Sequence, residues 1–132
     1  MSIGIRDQAA SIQQLLTAAG LTVYDTAAPD NAPARYAVVY TGRRYGGTYR
    51  LSSRTQMRST RALVVVVGAT KSEAQWVEER VTQALDGQRV QVAGVLCTPA
   101  RYSSSRAIER DPDDAAVFSG TMEFTFTAVP TN

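Results

Sequence analysis

Histidine is absent from this chain of 132 residues, and cysteine, lysine and tryptophan each occur only once. Without histidine, the sequence lacks the side chain that most often serves as a general base near neutral pH and as a metal ligand. Cys97 cannot form an intramolecular disulfide, and no histidine activates it as a nucleophile. Its apolar neighbours Val95 and Leu96 indicate a buried structural thiol. These absences predict a protein with no catalytic residues, no metal site and no cofactor.

Long apolar runs are missing from the N-terminal region, where polar residues interrupt every short apolar stretch. The beginning of the chain therefore predicts neither a signal peptide nor a membrane span. Apolar residues make up 44% of the chain and charged residues 20%, which is typical of a globular protein and not of a disordered one. This length predicts a single domain over residues 1–132, and the lone cysteine fits assembly in a reducing compartment.

Two segments have the spacing of amphipathic helices. In residues 4–19 the apolar side chains recur every three or four positions, which predicts a helix with one buried face. A second helix is predicted to begin after Thr70, which forms a capping box with Glu73, and to end at Gly87. Trp76 lies beside the apolar face of this helix, which indicates an anchor at the rim of the core and not a ligand-binding platform.

The remaining apolar segments have the character of strands. Residues 62–67 include four successive valines, which suits a strand at the centre of a sheet. Residues 118–128 alternate between apolar and polar side chains and form the clearest antiparallel strand. Residues 98–116 contain two prolines, three serines and four acidic residues, and they predict a long loop. Further strands are predicted at 21–24, 35–41 and 89–97, with weaker alternation at 48–57.

Helices and strands do not alternate regularly in this order, so a doubly wound parallel sheet is not expected. The simplest arrangement is an α+β fold, in which a mostly antiparallel sheet carries two helices packed on one face. A long basic loop or hairpin completes the predicted architecture.

The arginine-rich segment, residues 42–61, concentrates the positive charge of the chain. It holds six of the 14 basic residues and no acidic residue. The spacing of Arg50, Arg54 and Arg58 places three guanidinium groups on one side, whether the segment is helical or extended. We predict an extended basic loop or hairpin that serves as a contact surface. Its candidate contact residues are Arg43, Arg44, Tyr45, Tyr49, Arg50, Arg54, Arg58 and Arg61.

Three interpretations fit such a segment. It is a solvated loop, it contacts nucleic acid through arginine and tyrosine, or it binds carboxylates on another protein subunit through the guanidinium fork. Protein–protein contact is favoured over nucleic acid because the rest of the chain carries no nucleic-acid motif.

An acidic segment of the same chain is a natural complement if copies associate head to tail. Its residues lack the mid-loop glycine and the closing glutamate of a calcium-binding loop, so a solvated loop is favoured over a metal site. The acidic candidates for the contact between copies are Glu109, Asp111, Asp113 and Asp114.

In its order of elements the chain resembles the tail terminator, or tail completion, proteins of long-tailed bacteriophages. The helix IRDQAASIQQLLTAAG is followed by a short valine–tyrosine strand, a proline-bearing loop and the strand RYAVVY. A basic segment comes next, followed by the apolar strand ALVVVVGAT and a helix within TKSEAQWVEERVTQALDG. The strand FSGTMEFTFTA is similar to the one that commonly ends these chains, and the resemblance covers residues 5–128.

The resemblance implies a non-enzymatic α+β protein of the virion. Such proteins form a ring, usually a hexamer, that caps the head-proximal end of the tail tube, stops tube polymerisation and presents the surface that joins the neck. The implied partners are copies of this chain, the major tail tube protein and head–tail connector or neck proteins. DNA passes through the ring without sequence-specific binding, no membrane is involved, and assembly takes place in the host cytoplasm.

Three other functions stay open on the sequence. One is another neck or tail completion protein, such as a head-closure or tube-type subunit. A second is a small nucleic-acid-binding α+β domain in which the arginine-rich segment lies along a backbone. A third is a small enzyme or ligand-binding domain, against which the missing histidine and the lack of paired catalytic groups argue.

Overall fold

The described part of the chain forms two helices and six strands. The structure, a computed structural model, describes residues 5–29, 32–43, 58–92, 95–112 and 116–130. In chain order the elements are α1 (Ile5–Ala18), β1 (Val23–Asp25), β2 (Arg35–Arg43), β3 (Arg58–Gly68), α2 (Lys71–Leu85), β4 (Val95–Cys97), β5 (Arg101–Arg110) and β6 (Phe118–Pro130). None of the helices within these ranges is long and apolar enough to cross a membrane.

One sheet of six strands organises the fold. Its order is β1-β2-β3-β6, and β4 and β5 both pair with the far side of β6, at different places along that strand. Every pairing between these strands is antiparallel except that of β1 with β2, which is parallel. The prediction of an α+β fold with a mostly antiparallel sheet is confirmed.

Both helices pack on the same face of the sheet and enclose the core, as predicted. The even-numbered residues of β6 from 120 to 128 are buried on this face, and β3 lies between β2 and β6. We call the opposite face, which includes Leu63, Thr121 and Glu123, the helix-free face. The core includes Ile12 and Leu16 of α1, Val77, Val81 and Leu85 of α2, and Val39, Val64, Val66 and Phe124 of the sheet.

The second helix begins and ends where the sequence predicts. Thr70 Oγ1 accepts a hydrogen bond from the backbone N–H of Glu73 at 3.1 Å. The hydroxyl therefore satisfies one of the free amide groups of the first turn. After the helix, Gly87 has a φ of 80°, a left-handed conformation that favours glycine.

Residues 98–116 do not form one long loop, because β5 occupies much of that range and pairs along one side of β6. The prediction was wrong because this strand has no apolar alternation to reveal it. All residues from 101 to 107 are exposed, so both faces of the strand accept polar side chains. Two bulges interrupt its register with β6, as is common at sheet edges.

The strand predicted at 89–97 is shorter in the structure. Among the described residues of this range, β4 joins the sheet as a strand, while Arg89 forms an isolated bridge with Pro99. Between β4 and β5, the N–H of Thr98 donates to the Thr127 carbonyl at 2.8 Å, and Thr98 Oγ1 accepts from the Thr127 N–H at 2.8 Å. Between β4 and β5, the hydroxyl of Thr98 thus takes the place of a backbone carbonyl as the acceptor for β6.

The ends of the arginine-rich segment are paired with each other. Gly42 pairs with Arg61 and Arg43 with Thr60, so β2 and β3 form adjacent antiparallel strands that flank the segment. The two ends of the segment therefore lie side by side in the sheet. The strand predicted at 48–57 lies outside the described residues.

Candidate interaction surface

Arg61 is the one arginine of the segment whose side chain the structure describes. Its guanidinium Nη1 lies 3.5 Å from Glu123 Oε2, and the two side chains are 49% and 17% exposed. Ser103 Oγ of β5 donates to Glu123 Oε1 at 2.7 Å. Glu123 therefore joins three neighbouring strands on the helix-free face and holds Arg61 against the sheet.

The other predicted contact residues divide between the ends of strands and the part of the chain outside the described ranges. Arg43 ends β2 and Arg58 begins β3, opposite Ala128 of β6. The predicted contacts at Arg44, Tyr45, Tyr49, Arg50 and Arg54 lie outside the described residues.

The acidic candidates are likewise divided. Glu109 is exposed on β5 and lies opposite Ser119, and Asp111 Oδ2 accepts a hydrogen bond from Ser119 Oγ at 2.8 Å. Asp113 and Asp114 lie outside the described residues. Within the ranges that are described, no group of three or more acidic or cysteine side chains is placed to hold a metal ion.

The described parts of the arginine-rich and acidic segments lie apart in one chain. Arg61 lies opposite Thr125 of β6, and Glu109 lies opposite Ser119 of the same strand. Six residues of extended strand separate these two positions (119 to 125), which corresponds to about 20 Å at 3.3 Å per residue. The two charged segments leave the sheet at opposite ends.

The fold of this chain occurs in other solved structures. The fold is similar to that of a chain in the virion of a native gene transfer agent particle. That likeness has a TM-score of 0.72 at 17% sequence identity and covers 97% of this chain and 99% of the other. A second solved chain is similar with a TM-score of 0.67 at 13% identity, and this likeness covers 99% of both chains. No protein-family model and no curated protein matches the sequence.

A buried polar cluster lies beside the paired ends of the arginine-rich segment, and the sequence analysis did not predict it. Thr60 Oγ1 donates to Gln8 Oε1 at 2.5 Å, and Gln8 and Thr60 are fully buried. Gln8 Nε2 and Thr41 Oγ1, on α1 and β2, are buried without a partner among the described residues. An unpaired buried polar group costs about 1–3 kcal/mol. The only sequence signal was that Gln8 stands four positions before Ile12, on the apolar face of α1.

Trp76 is half-buried at the rim of the core, as predicted. The guanidinium carbon of Arg35 lies 3.8 Å from the centre of its ring, and that of Arg80 lies 4.8 Å away. Arg80 Nη1 also donates to the Ala19 carbonyl at 3.5 Å. Cation–π contacts therefore link the start of β2 with α2, and Arg80 extends the link to the end of α1.

Cys97 is the buried thiol that the sequence predicts. It is 2% exposed, and burial raises its pKa, although the positive charge of Arg89 opposes this effect. Arg89 Nη1 donates to the Cys97 carbonyl at 3.2 Å. The thiolate, which is the reactive form, is therefore disfavoured in the folded protein.

We expect Cys97 to react with a disulfide-exchange reagent about 100-fold more slowly in the native protein than in denaturant, because reaction requires local opening. The raised pKa also means that this group favours the folded state below its unfolded pKa, and that the contribution is lost as pH rises through the folded pKa. Spectrophotometric labelling at several pH values measures the rate, with Cys97→Ala as the unreactive control. Equal rates in native and denatured protein would contradict the burial.

Proposed function

We propose that the chain is a structural protein of a phage-type virion and acts as a tail terminator. In this role it forms a ring of identical copies, a hexamer by the family resemblance, on the head-proximal end of the tail tube. The ring stops tube polymerisation and presents the attachment surface for the head and neck. The observation that carries the proposal is the similarity, over nearly the whole length of both chains, to a chain of a virion particle.

The distribution of charge supports a contact between copies that is head to tail. The arginine-rich segment begins at one end of the sheet, and the segment containing Glu109 and Asp111 lies at the other end. Since Arg61 and Glu109 of one chain are about 20 Å apart along β6, the two segments are suited to meet across the boundary between neighbouring copies. Such a heterologous contact forms a closed ring when the rotation between neighbouring copies is a whole-number fraction of 360°.

A ring also explains how modest contacts hold a tube end. Each copy offers the same surface to a repeating partner, and contacts made together in one ring gain affinity through effective concentration. Arginine suits this work because its planar fork binds carboxylates in a defined orientation. No catalytic group is required in such a role, and the implied partners are copies of this chain, the tail tube protein and the neck.

Electron microscopy of tails, with the chain carrying an affinity label, tests the proposed position. The label is expected only at the head-proximal end, and tails assembled without the protein are expected to lose their uniform length. A label along the whole tube would indicate a tube-type subunit, and a label within the neck would indicate a head-closure protein. Absence from the virion would contradict the proposal as a whole.

We expect the triple variant Arg50→Ala, Arg54→Ala and Arg58→Ala to remain folded but to bind the tail tube about 100-fold more weakly, because each lost contact is repeated around the ring. Co-sedimentation with purified tubes measures the binding. The matched control replaces the same three arginines with lysine, which keeps the charge and removes the fork.

The lysine control separates two kinds of contact. Partial loss in the lysine variant indicates paired guanidinium forks, and full retention indicates charge attraction alone. Normal tube binding by the alanine variant would remove the segment from the proposed contact. Retention of DNA by the wild-type protein, with log affinity falling linearly against log salt, would favour the nucleic-acid alternative.

A further inference from the structure

Among the described residues, the two outermost strands of the sheet each have one edge that pairs with no further strand. β1 forms one side and pairs only with β2 among the described strands. β5 forms the other side over most of the length of β6 and pairs only with β6 in the same set. An unpaired edge offers a row of backbone donors and acceptors to another strand.

These two edges lie at the same level of the sheet. Asp25 of β1 pairs with Val39, Val39 pairs with Val64, and Val64 pairs with Met122, which pairs with Ser105 of β5. Asp25 and Ser105 therefore lie in one row that crosses the strands. They are on the same face of the sheet, at its two opposite edges. Four strand spacings of about 4.8 Å separate them, or about 19 Å.

The directions of the two strands also match. β1 runs parallel to β2, and three successive antiparallel pairings lead from β2 through β3 and β6 to β5. β5 consequently runs opposite to β1. If a second copy is placed beside the first without a shift along the strands, its β1 meets β5 as an antiparallel neighbour, which is the more stable arrangement.

The lengths of the usable edges agree as well. Between its two bulges, β5 keeps regular register with β6 only over residues 104–106. β1 is three residues long. The regular stretch on one edge is thus as long as the strand on the other edge, and the bulges restrict pairing to that stretch.

Charge and space favour the same partner. β5 carries three arginines and one glutamate, whereas the single charged residue of β1 is Asp25. Beside β1, a groove of about 410 Å³ runs between α1 and the edge of the sheet, and Asp25, Thr26 and Tyr40 line it. Thr26, with a φ of 71°, carries a β-branched side chain in the left-handed region, which is strained and turns the chain away after β1.

We propose that residues 105–106 of β5 pair antiparallel with residues 24–25 of β1 in a second copy, so that the sheet continues from one subunit to the next. This inference rests on the proposed ring and identifies the edges that build it. It places Asp25 of one copy opposite Ser105 of its neighbour. Because the two edges are different surfaces of the molecule, the contact is heterologous and repeats around the ring.

Disulfide trapping tests the pairing directly. In a Cys97→Ala background, the double variant Asp25→Cys and Ser105→Cys is oxidised under mild conditions and separated by non-reducing electrophoresis. Facing residues of antiparallel strands have Cα atoms about 4.5–5.5 Å apart, within the range that a disulfide spans. We expect a ladder of covalent oligomers that ends at the copy number of the ring. Each single-cysteine variant is expected to yield no species larger than a dimer.

A matched control shifts the register on the same strand. Asp25→Cys with Glu109→Cys places the second thiol opposite Ser119 of β6, which lies three residues before Met122, or about 10 Å from it along the strand. This pair is expected to give less than about one tenth of the cross-linking, since a disulfide does not span that distance. Equal ladders from both pairs would overturn the proposed register.

The outcomes separate this inference from the proposed function. If native mass spectrometry shows the wild-type ring while the Asp25→Cys and Ser105→Cys variant gives no ladder, the edge pairing is wrong and the ring stands. If the protein stays monomeric at high concentration and on tail tubes, the ring and the edge pairing both fail. A ladder that stops at the covalent dimer would contradict a heterologous contact.

Discussion

Replacement of Gly68 by alanine is expected to cause one of the two largest losses of stability that we predict. Gly68 is the last residue of β3, and a Cβ atom there would lie 2.3 Å from the backbone nitrogen of Ala74 and 2.8 Å from the carbonyl carbon of Glu73. Both are backbone atoms of the first turns of α2, so no side-chain rotation relieves the contact. The helix must move away from the central strand, at a cost of about 3 kcal/mol or more. Domains of this kind are stable by only about 5–15 kcal/mol.

Gly87→Ala is the matched control for this substitution. Gly87 has a φ of 80°, and nothing lies within 4 Å of the position of its Cβ. Alanine there pays only for the left-handed conformation, about 1–2 kcal/mol. Urea unfolding followed by the fluorescence of Trp76, the sole tryptophan, compares the two variants. Similar losses of stability would show that close packing of β3 against α2 is not what requires glycine at position 68.

The elements that the sequence predicts correctly are those with a buried face. In β6, every second residue faces the helices and is buried. Apolar residues therefore alternate with polar ones along this part of the sequence. In α2, the Thr70 cap and the apolar residues at intervals of three and four give a start, a face and an end. Both patterns arise because one side of each element lies against the core and the other side does not.

β5 escapes prediction for the complementary reason. Its ladder to β6 is made of backbone groups, which leave no trace in the order of side chains. A strand at the edge that is exposed on both faces accepts serine and arginine at every position, and these residues are typical of loops. β5, whose free edge we assign to the contact between subunits, is therefore the strand that side-chain patterns do not predict.

The candidate interaction surface can be predicted only in part from the sequence. Clustering of arginine between two strands is visible in the sequence, and so is the acidic segment that follows β5. The pairing of Arg61 with Glu123 joins residues 62 positions apart (61 to 123), and the Gln8–Thr60 hydrogen bond joins residues 52 apart. Contacts between distant positions depend on the sheet order, which no local periodicity specifies.

Phe124→Ala is expected to cause the second large loss, about 4 kcal/mol, because Phe124 is the largest fully buried side chain of the core. It lies in the middle of β6, between Ala62 of β3 and Tyr102 of β5. Its ring meets that of Tyr102 edge to face, with centres 6.0 Å apart and an interplanar angle of 74°. The substitution leaves a cavity under the central strands and removes the contact that fixes the start of β5.

Phe118→Ala is the control, since Phe118 begins the same strand but is only half-buried, and its loss should cost about 1 kcal/mol. Phe124→Leu keeps most of the apolar volume and should cost less than about 1.5 kcal/mol. Urea midpoints rank the three variants. If Phe124→Leu folds normally yet forms shorter disulfide ladders than its parent, the position of β5 depends on the ring of Phe124. Equal losses in Phe118→Ala and Phe124→Ala would contradict the central place of Phe124 in the core.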